Sequence, residues 1–225
     1  MHSKVSEMFN AIAPSYDGIN RILSLGMDLH WRKTLVRHLP LRENLTVLDL
    51  ATGTGDQILA ILKKHPFPQR VVGIDLAQEM LEQAKQKLPP NVELLCADAL
   101  NLPFTDESFD ASTFSFGIRN VENPLTSLQE IYRVLKPKGR CLILEFSLPK
   151  PPIRTLYLLY LRHFLPRLGA LLSNHPSAYR YLNQTIESFP YGADFCSLMK
   201  KARFTQIRAI PLAFGAVTLY FGDKD

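Results

Sequence analysis

From residue 47 the chain reads Val47-Leu48-Asp49-Leu50-Ala51-Thr52-Gly53-Thr54-Gly55-Asp56, an apolar run that leads into a Gly-x-Gly turn. Glycine adopts left-handed backbone conformations without strain, and it lets a ligand approach the main chain closely. The segment therefore predicts a buried strand, a tight turn and the start of a helix. We expect Gly53 and Gly55 to lie against a nucleotide-type cofactor.

Short apolar runs alternate with amphipathic segments of helix length after this motif, a pattern typical of a parallel sheet covered on both faces. The predicted strands are Thr46–Leu50, Arg70–Asp75, Val92–Cys96, Phe109–Phe114 and Cys141–Phe146. The predicted helices are Gly55–Lys64, Gln78–Leu88 and Pro124–Leu135, the last one stopped by Lys136-Pro137-Lys138-Gly139. The fold class is therefore α/β, with a doubly wound and mainly parallel sheet.

The remaining segments complete one predicted domain of 225 residues. Helical periodicity predicts an N-terminal cap over residues 1–44, and the cofactor-binding core spans residues 45–147. Residues 148–203 are expected to form a helical insert that faces the substrate or a membrane. Residues 204–225 carry two strand-like runs joined by a Phe-Gly turn, and these predict a C-terminal antiparallel hairpin of Thr205–Leu212 with Ala216–Phe221.

The composition limits the classes of partner and site. A formal net charge of +5 and a pI near 9.1 favour an anionic partner, which leaves nucleic acid, a membrane surface and an acidic small molecule open. Three cysteines stand far apart with no metal-ligand spacing, so we expect neither a metal site nor disulfides, as in a reducing cytoplasm. The N-terminus lacks a signal-peptide core, and no apolar stretch is long enough to span a membrane.

Three carboxylates lie at or near the ends of predicted strands. Asp75 ends the second strand twenty residues after Gly55, where a carboxylate can accept hydrogen bonds from ribose hydroxyls. Asp98 and Ala99 follow the third strand and are expected at the adenine edge, and Asp49 is expected to orient the amino group of a methionine portion. The third glycine of a dinucleotide motif is replaced by Ile58, which disfavours NAD and FAD. Each of these glycines and carboxylates taken alone could be an ordinary turn residue, but their order along the chain favours an adenosine cofactor.

Longer motifs make the sequence similar to one known family. An N-terminal motif reads Met8-Phe9-Asn10-Ala11-Ile12-Ala13-Pro14-Ser15-Tyr16-Asp17, and the third strand is followed by Ala97-Asp98-Ala99-Leu100-Asn101-Leu102-Pro103-Phe104. More specific is Phe116-Gly117-Ile118-Arg119-Asn120-Val121, which leads to Tyr132-Arg133-Val134-Leu135-Lys136-Pro137. With these motifs the sequence resembles the UbiE/MenG C-methyltransferases of ubiquinone and menaquinone biosynthesis over nearly the whole chain.

The resemblance implies a class I Rossmann-like methyltransferase that uses S-adenosylmethionine and no metal. It implies cofactor contacts from Thr54, Asp75, Asp98, Ala99 and Ser115. It also implies that the acceptor lies near Arg119, Asn120 and Tyr16. The implied reaction is methylation of a ring carbon of a prenylated quinol, with demethylmenaquinol as the expected acceptor and the benzoquinol of ubiquinone biosynthesis as the alternative.

The acceptor chemistry gives Arg119 a specific expected role. A quinol carbon becomes nucleophilic when the neighbouring hydroxyl loses its proton, so the site needs a base or a cationic stabiliser. Arginine is a poor free base because its pKa is above about 12. We therefore expect Arg119 to stabilise phenolate charge. The family often has Gly-Gly pairs where this chain has Ala51-Thr52 and Lys138-Gly139.

The insert is basic and apolar. Residues 146–186 contain no Asp or Glu, but carry Lys150, Arg154, Arg162, Arg167 and Arg180. Such a segment favours peripheral contact of residues 150–180 with an anionic membrane, at the inner face of the cytoplasmic membrane. A core helix or the interface of a homodimer is the alternative reading.

Three rival functions share parts of this pattern. An O- or N-methyltransferase acting on a soluble small molecule would keep the cofactor loops. An RNA-binding protein would fit the net charge, but the sequence contains no recognisable RNA module, so we expect no nucleic acid partner. A binding-only scaffold would keep the fold without the activity.

Overall fold

The computed structural model describes residues 2–65, 68–165, 167 and 176–225. Its strands are β1 (Thr46–Leu50), β2 (Arg70–Asp75), β3 (Glu93–Cys96), β4 (Phe109–Ser115), β5 (Leu135–Phe146), β6 (Thr205–Leu212) and β7 (Val217–Asp223). They form one seven-stranded sheet in the order β3-β2-β1-β4-β5-β7-β6. Neighbours among β1 to β5 are parallel, whereas β7 is antiparallel to both β5 and β6. The predicted doubly wound sheet with a C-terminal antiparallel hairpin is confirmed.

Helices cover both faces of the sheet and its carboxyl edge. They are α1 (His2–Ile12), α2 (Tyr16–Leu23), α3 (Met27–Val36), α4 (Asp56–Lys64), α5 (Gln78–Lys87), α6 (Pro124–Val134), α7 (Ile153–Leu159), α8 (Pro176–Ser188) and α9 (Ala193–Lys201). Short 3₁₀ turns lie at Ala13–Ser15, Ile118–Asn120 and Ala213–Gly215, and a π-helical turn at Tyr160–Phe164 continues α7. Helices α1 to α3 form the predicted N-terminal cap.

Burial on both faces explains the continuous apolar runs of the central strands. Every residue of β1 and β4 is buried. Successive residues of a strand point to opposite faces. Accordingly, Val47 packs in the cluster that contains Trp31 of α3, and Leu48 packs in the cluster that contains Ile131 of α6. A run that alternated apolar with polar residues could not satisfy both layers.

The observed bounds differ from the predicted ones mainly at β5. This strand begins at Leu135, whereas Cys141 was the predicted first residue. The register of its pairing with β4 shifts: Phe109 pairs with Leu135, but Ala111 pairs with Arg140, so β5 bulges between these two partners. Lys138 has a φ of 61° there and donates its N–H to the carbonyl of Lys224. Residues 136–139, which were predicted to stop the helix, do follow the end of α6, but they belong to the bulge of β5. The domain boundaries stay predictions, and residues 166 and 168–175 of the insert lie outside the described residues.

Candidate active site

A cavity of about 100 Å³ lies at the carboxyl ends of the parallel strands. Open α/β sheets bind their ligands at this edge. Six of the predicted site residues together with Tyr16 line the cavity, namely Gly53, Asp75, Asp98, Ala99, Ser115 and Asn120. The structure therefore brings together residues that stand up to 104 positions apart in the sequence, the separation from Tyr16 to Asn120.

Asp75 organises the floor of this cavity. Its Oδ2 accepts a hydrogen bond from the N–H of Gly53 at 2.8 Å, and its Oδ1 accepts one from the N–H of Ala77 at 2.9 Å. Burial raises the pKa of the Asp75 carboxyl, and the two backbone N–H groups act in the opposite direction. Because a carboxylate has about four acceptor positions, Asp75 retains capacity for ribose hydroxyls.

The two glycines of the turn are required for different reasons. Gly53 has a φ of 55° and lines the cavity, and a Cβ built there meets no heavy atom within 4 Å. Gly55 has a φ of 86°, but a Cβ there would lie 2.8 Å from Cδ1 of Leu88. Gly53 thus leaves open space at the cavity, whereas Gly55 permits close packing of the turn against the end of α5.

Two further predicted cofactor residues lie behind the cavity wall. Asp49 is buried under the turn, where its oxygens accept hydrogen bonds from Thr113 Oγ1 at 2.5 Å and Thr52 Oγ1 at 2.6 Å. Burial raises the pKa of Asp49 to about 6, although both hydroxyls and Arg32 lower it. The Thr54 hydroxyl donates to Asp17 of α2 at 2.6 Å. Neither Asp49 nor Thr54 is among the residues that line this cavity.

A second and larger cavity of about 280 Å³ adjoins the first. Phe9, Tyr16 and Phe116 line both cavities and so form their shared wall. The remaining lining is mostly aliphatic and aromatic, with contributions from α1 to α3, α7, α8 and the β6–β7 turn. Such a lining suits an apolar ligand. Burial raises the pKa of the Tyr16 hydroxyl, so at neutral pH it is a proton donor at the junction.

Arg119 and Asn120 occupy the 3₁₀ turn that follows β4. Arg119 lines the larger cavity and Asn120 the smaller one. Nη1 of Arg119 donates to Glu145 Oε1 at 2.7 Å and to the Phe116 carbonyl at 2.5 Å. Its Nε is buried without a hydrogen-bond partner among the described residues, and the same holds for Oδ1 of Asn120. The two side chains therefore present a free donor and a free acceptor at adjacent positions.

Sequence reasoning did not find several polar residues of the site. Glu145 lies near the end of β5, and nothing in the local sequence pairs it with Arg119. Asp28, Arg32 and Asp56 line the larger cavity, although each looks like an ordinary surface charge of an amphipathic helix. Only the packing of the cap against the turn after β1 brings them together. Among the described residues, no cluster of three or more His, Cys, Asp or Glu side chains has the arrangement of a metal site.

Comparisons with known proteins agree with this architecture. The model of the ubiE/COQ5 methyltransferase family matches residues 1–224. The ubiquinone/menaquinone biosynthesis C-methyltransferase UbiE of Syntrophotalea carbinolica is 46% identical, over 96% of this chain and 92% of that protein. The demethylmenaquinone methyltransferase of Thermus thermophilus is 43% identical, over 96% and 100%. A SAM-dependent methyltransferase structure from Aquifex aeolicus has a TM-score of 0.64 at 19% identity, over 88% and 92%, which shows the fold alone.

Proposed function

Because this chain belongs to the ubiE/COQ5 methyltransferase family, we propose that it methylates a ring carbon of a prenylated quinol, with S-adenosylmethionine as the donor. The expected acceptor is demethylmenaquinol. The observation that carries the proposal is the wall of Phe9, Tyr16 and Phe116, which separates a small polar-edged cavity from a larger apolar one. Methyl transfer needs a donor and an acceptor held at adjacent positions.

The smaller cavity fits the adenosine part of the donor. Gly53 leaves open space there, and Asn120 presents a buried oxygen with no hydrogen-bond partner among the described residues. Asp75 would hold the ribose, and Asp98 with Ala99 would meet the adenine edge. When bound, S-adenosylmethionine supplies a methyl group on a positively charged sulfur. The hydroxyl of Ser115, which donates to Gln57 at 3.0 Å, keeps the end of β4 in place.

The larger cavity fits the acceptor ring. Arg119 would stabilise the phenolate that activates the ring carbon, because its guanidinium is held by Glu145 and its Nε is free within the described structure. The protonated hydroxyl of Tyr16 would donate to the same oxygen. Rings such as Trp31 and Phe146 on the apolar wall exclude water from the reacting centre. Among the described residues that line this cavity there is no histidine or cysteine, so we assign removal of the quinol hydroxyl proton to a water molecule.

The apolar lining also separates the alternatives. A benzoquinol with a prenyl tail would satisfy the same contacts and remains the second candidate acceptor. A soluble and polar acceptor of an O- or N-methyltransferase would leave a mostly aliphatic and aromatic cavity poorly matched. The proposed reaction therefore rests on an acceptor that carries an apolar tail.

We also propose that the protein contacts an anionic membrane at its periphery. Elements that line the larger cavity also carry exposed apolar side chains, and we call this set the apolar rim: Ile22, Leu25, Met27, Leu29, Ile153, Leu156, Leu159, Phe164 and Phe214. The Tyr160 hydroxyl donates to the Leu23 carbonyl at 3.0 Å and so joins two parts of the rim. Lys150 and Arg154 are exposed beside it, whereas the Arg180 side chain lies outside the described residues. Within the described part of the chain, no helix is long and apolar enough to cross a bilayer.

The proposed function is tested by methyl transfer from labelled S-adenosylmethionine. Reduced demethylmenaquinone and a reduced methoxy-prenyl-benzoquinone without the ring methyl are offered in parallel. Product with the naphthoquinol, and little with the benzoquinol, is the expected result. Product with neither acceptor, from protein that binds S-adenosylhomocysteine, would refute the proposed reaction.

A further inference from the structure

Four charged residues line the larger cavity, and one of them stands apart. Asp28 pairs with Arg21, Asp56 pairs with Arg21 and Lys87, and Arg119 pairs with Glu145. The fourth is Arg32, for which the described residues provide no salt bridge. A guanidinium that lines a cavity without a directly bonded carboxylate keeps donors for an anionic ligand, even though Asp56 lies within electrostatic range.

The position of Arg32 connects it to both cavities. It lies on α3, and its Cζ is 5.4 Å from the ring centroid of Phe116, which forms part of the shared wall. Its Nε is buried and has no hydrogen-bond partner in the described structure. The guanidinium is therefore supported from one side by an aromatic ring, while its donors remain available.

The charge of Arg32 acts on the turn after β1. Burial works to raise the pKa of Asp56, but Arg32, Lys87 and Arg21 outweigh it, so the pKa of Asp56 is lowered. Arg32 also acts against the effect of burial on Asp49. Asp49 precedes the glycine turn and Asp56 follows it. The guanidinium thus acts on both carboxylates that flank residues 51–55, and it lines the same cavity as Asp56.

We propose that Arg32 binds the α-carboxylate of the methionine portion of the cofactor, an inference that rests on the proposed function. Guanidinium matches carboxylate in a planar, two-bonded geometry. Asp49, which is buried under the same turn, would supply a negative charge near the ammonium group, so the turn would lie between one negative and one positive side chain. This arrangement complements an amino acid, which carries an ammonium and a carboxylate on one carbon. A phenolate of the acceptor is the rival ligand for Arg32.

Two nucleosides separate these ligands in a calorimetric binding experiment. S-Adenosylhomocysteine retains the amino-acid portion, whereas 5′-methylthioadenosine lacks it. We expect Arg32→Gln to weaken binding of S-adenosylhomocysteine by about tenfold to a hundredfold and to leave binding of 5′-methylthioadenosine within about twofold. Arg32→Lys should recover part of the loss. Lys33→Gln, an exposed change on the same helix, is the matched control and should alter neither affinity.

Two results would decide against the inference. Equal weakening of both nucleosides would mean that Arg32 supports the site without contacting the carboxylate. Unchanged affinities together with a slower turnover would assign Arg32 to the acceptor. Wild-type protein that binds S-adenosylhomocysteine but methylates no quinol would refute the proposed function and leave the binding difference between Arg32 variants as a valid test. Thermal unfolding of Arg32→Lys alongside Arg32→Gln separates loss of binding from loss of fold.

Discussion

Arg119 and Glu145 form a buried ion pair in which Nη1 lies 2.7 Å from Oε1, with side chains that are 5% and 0% exposed. Oε2 of Glu145 also accepts a hydrogen bond from the backbone N–H of Arg119 at 3.3 Å. Arg119 follows β4, and Glu145 lies near the end of the neighbouring parallel strand β5. Removing two charges from water is costly, so such a pair is weak evidence for stability. Its arrangement instead fixes the direction of the guanidinium toward the larger cavity.

We therefore expect Glu145→Gln to reduce the turnover number by more than about tenfold while cofactor affinity stays within about twofold. The unpaired guanidinium should also lower the free energy of unfolding by about 3 kcal/mol or more. Initial rates, calorimetry and urea unfolding measure the three quantities. Glu93→Gln breaks the exposed pair with Arg70, whose side chains are 39% and 47% exposed, and should cost no more than about 1 kcal/mol. Equal turnover in both variants would contradict the positioning role of Glu145.

The residues of this pair also show where sequence reasoning ends. Asp75 was predictable because a strand-ending carboxylate at a fixed distance from a glycine turn is a local pattern. The contact between Arg119 and Glu145 depends on the register of two parallel strands, in which Ser115 pairs with Leu144. No local spacing encodes that register. The fold followed from hydrophobic periodicity, whereas the acceptor site depends on contacts between distant segments.

A similar reason explains why Asp49 and Thr54 lie behind the cavity wall. The position of Asp49 before the turn suggested that it faces the ligand, and the family resemblance implied the same for Thr54. In the structure, the hydroxyls of Thr52 and Thr113 hold Asp49, and the carboxylate of Asp17 accepts from Thr54. Which partner captures a buried polar group depends on the packing of the cap, so the direction of these side chains could not be read from the motif. Their assignment to cofactor binding stays a prediction.

The two glycines of the turn should respond differently to alanine. Both have positive φ, which costs a residue with a Cβ about 1–2 kcal/mol. Gly55→Ala also forces a Cβ to within 2.8 Å of Leu88 Cδ1, so its loss of stability should exceed that of Gly53→Ala. Gly53→Ala places a methyl group at the smaller cavity and should mainly weaken S-adenosylhomocysteine binding. Unfolding and calorimetry on both variants check this, and Leu88→Ala should relieve part of the Gly55→Ala defect. An identical profile for the two variants would contradict the assignment.

The apolar rim yields a prediction about membranes. Leu156 and Phe214 are 69% and 84% exposed, and neither lines the larger cavity. Replacing both with serine should abolish flotation with vesicles that contain phosphatidylglycerol, because the buried apolar area supplies the binding free energy. Turnover of a short-chain quinol in detergent should stay unchanged. Leu41→Ser, at an exposed leucine outside the rim, is the control, with 88% exposure. Flotation that persists in the double variant, or oligomers that vanish in it, would point to a different occupant of this surface.

Asp49 provides a prediction about pH. Burial raises its pKa in the folded protein from 3.8 to about 6, so the folded state binds a proton more tightly than the unfolded chain between these values. The stability that belongs to Asp49 therefore rises as the pH falls through about 6. Asparagine imitates the protonated acid at every pH. Without ligand, Asp49→Asn should be more stable than wild type near pH 7.5, by up to about 3 kcal/mol, and should lose this advantage near pH 4.

Denaturant unfolding of wild type and Asp49→Asn between about pH 4 and pH 7.5 measures the difference in their free energies of unfolding. Contributions from titrating groups that both proteins share cancel in this difference. The same variant should bind S-adenosylhomocysteine more weakly near pH 7.5, because the site then lacks the negative charge that complements an ammonium group. Asp110→Asn is the control. Burial works to raise the pKa of Asp110, but its hydrogen bonds to Thr46 and the nearby Lys136 outweigh burial and lower it. The Asp110→Asn variant should therefore lose stability at neutral pH. A stability difference between Asp49→Asn and wild type that does not vary with pH would show that this carboxyl does not titrate between about 4 and 7.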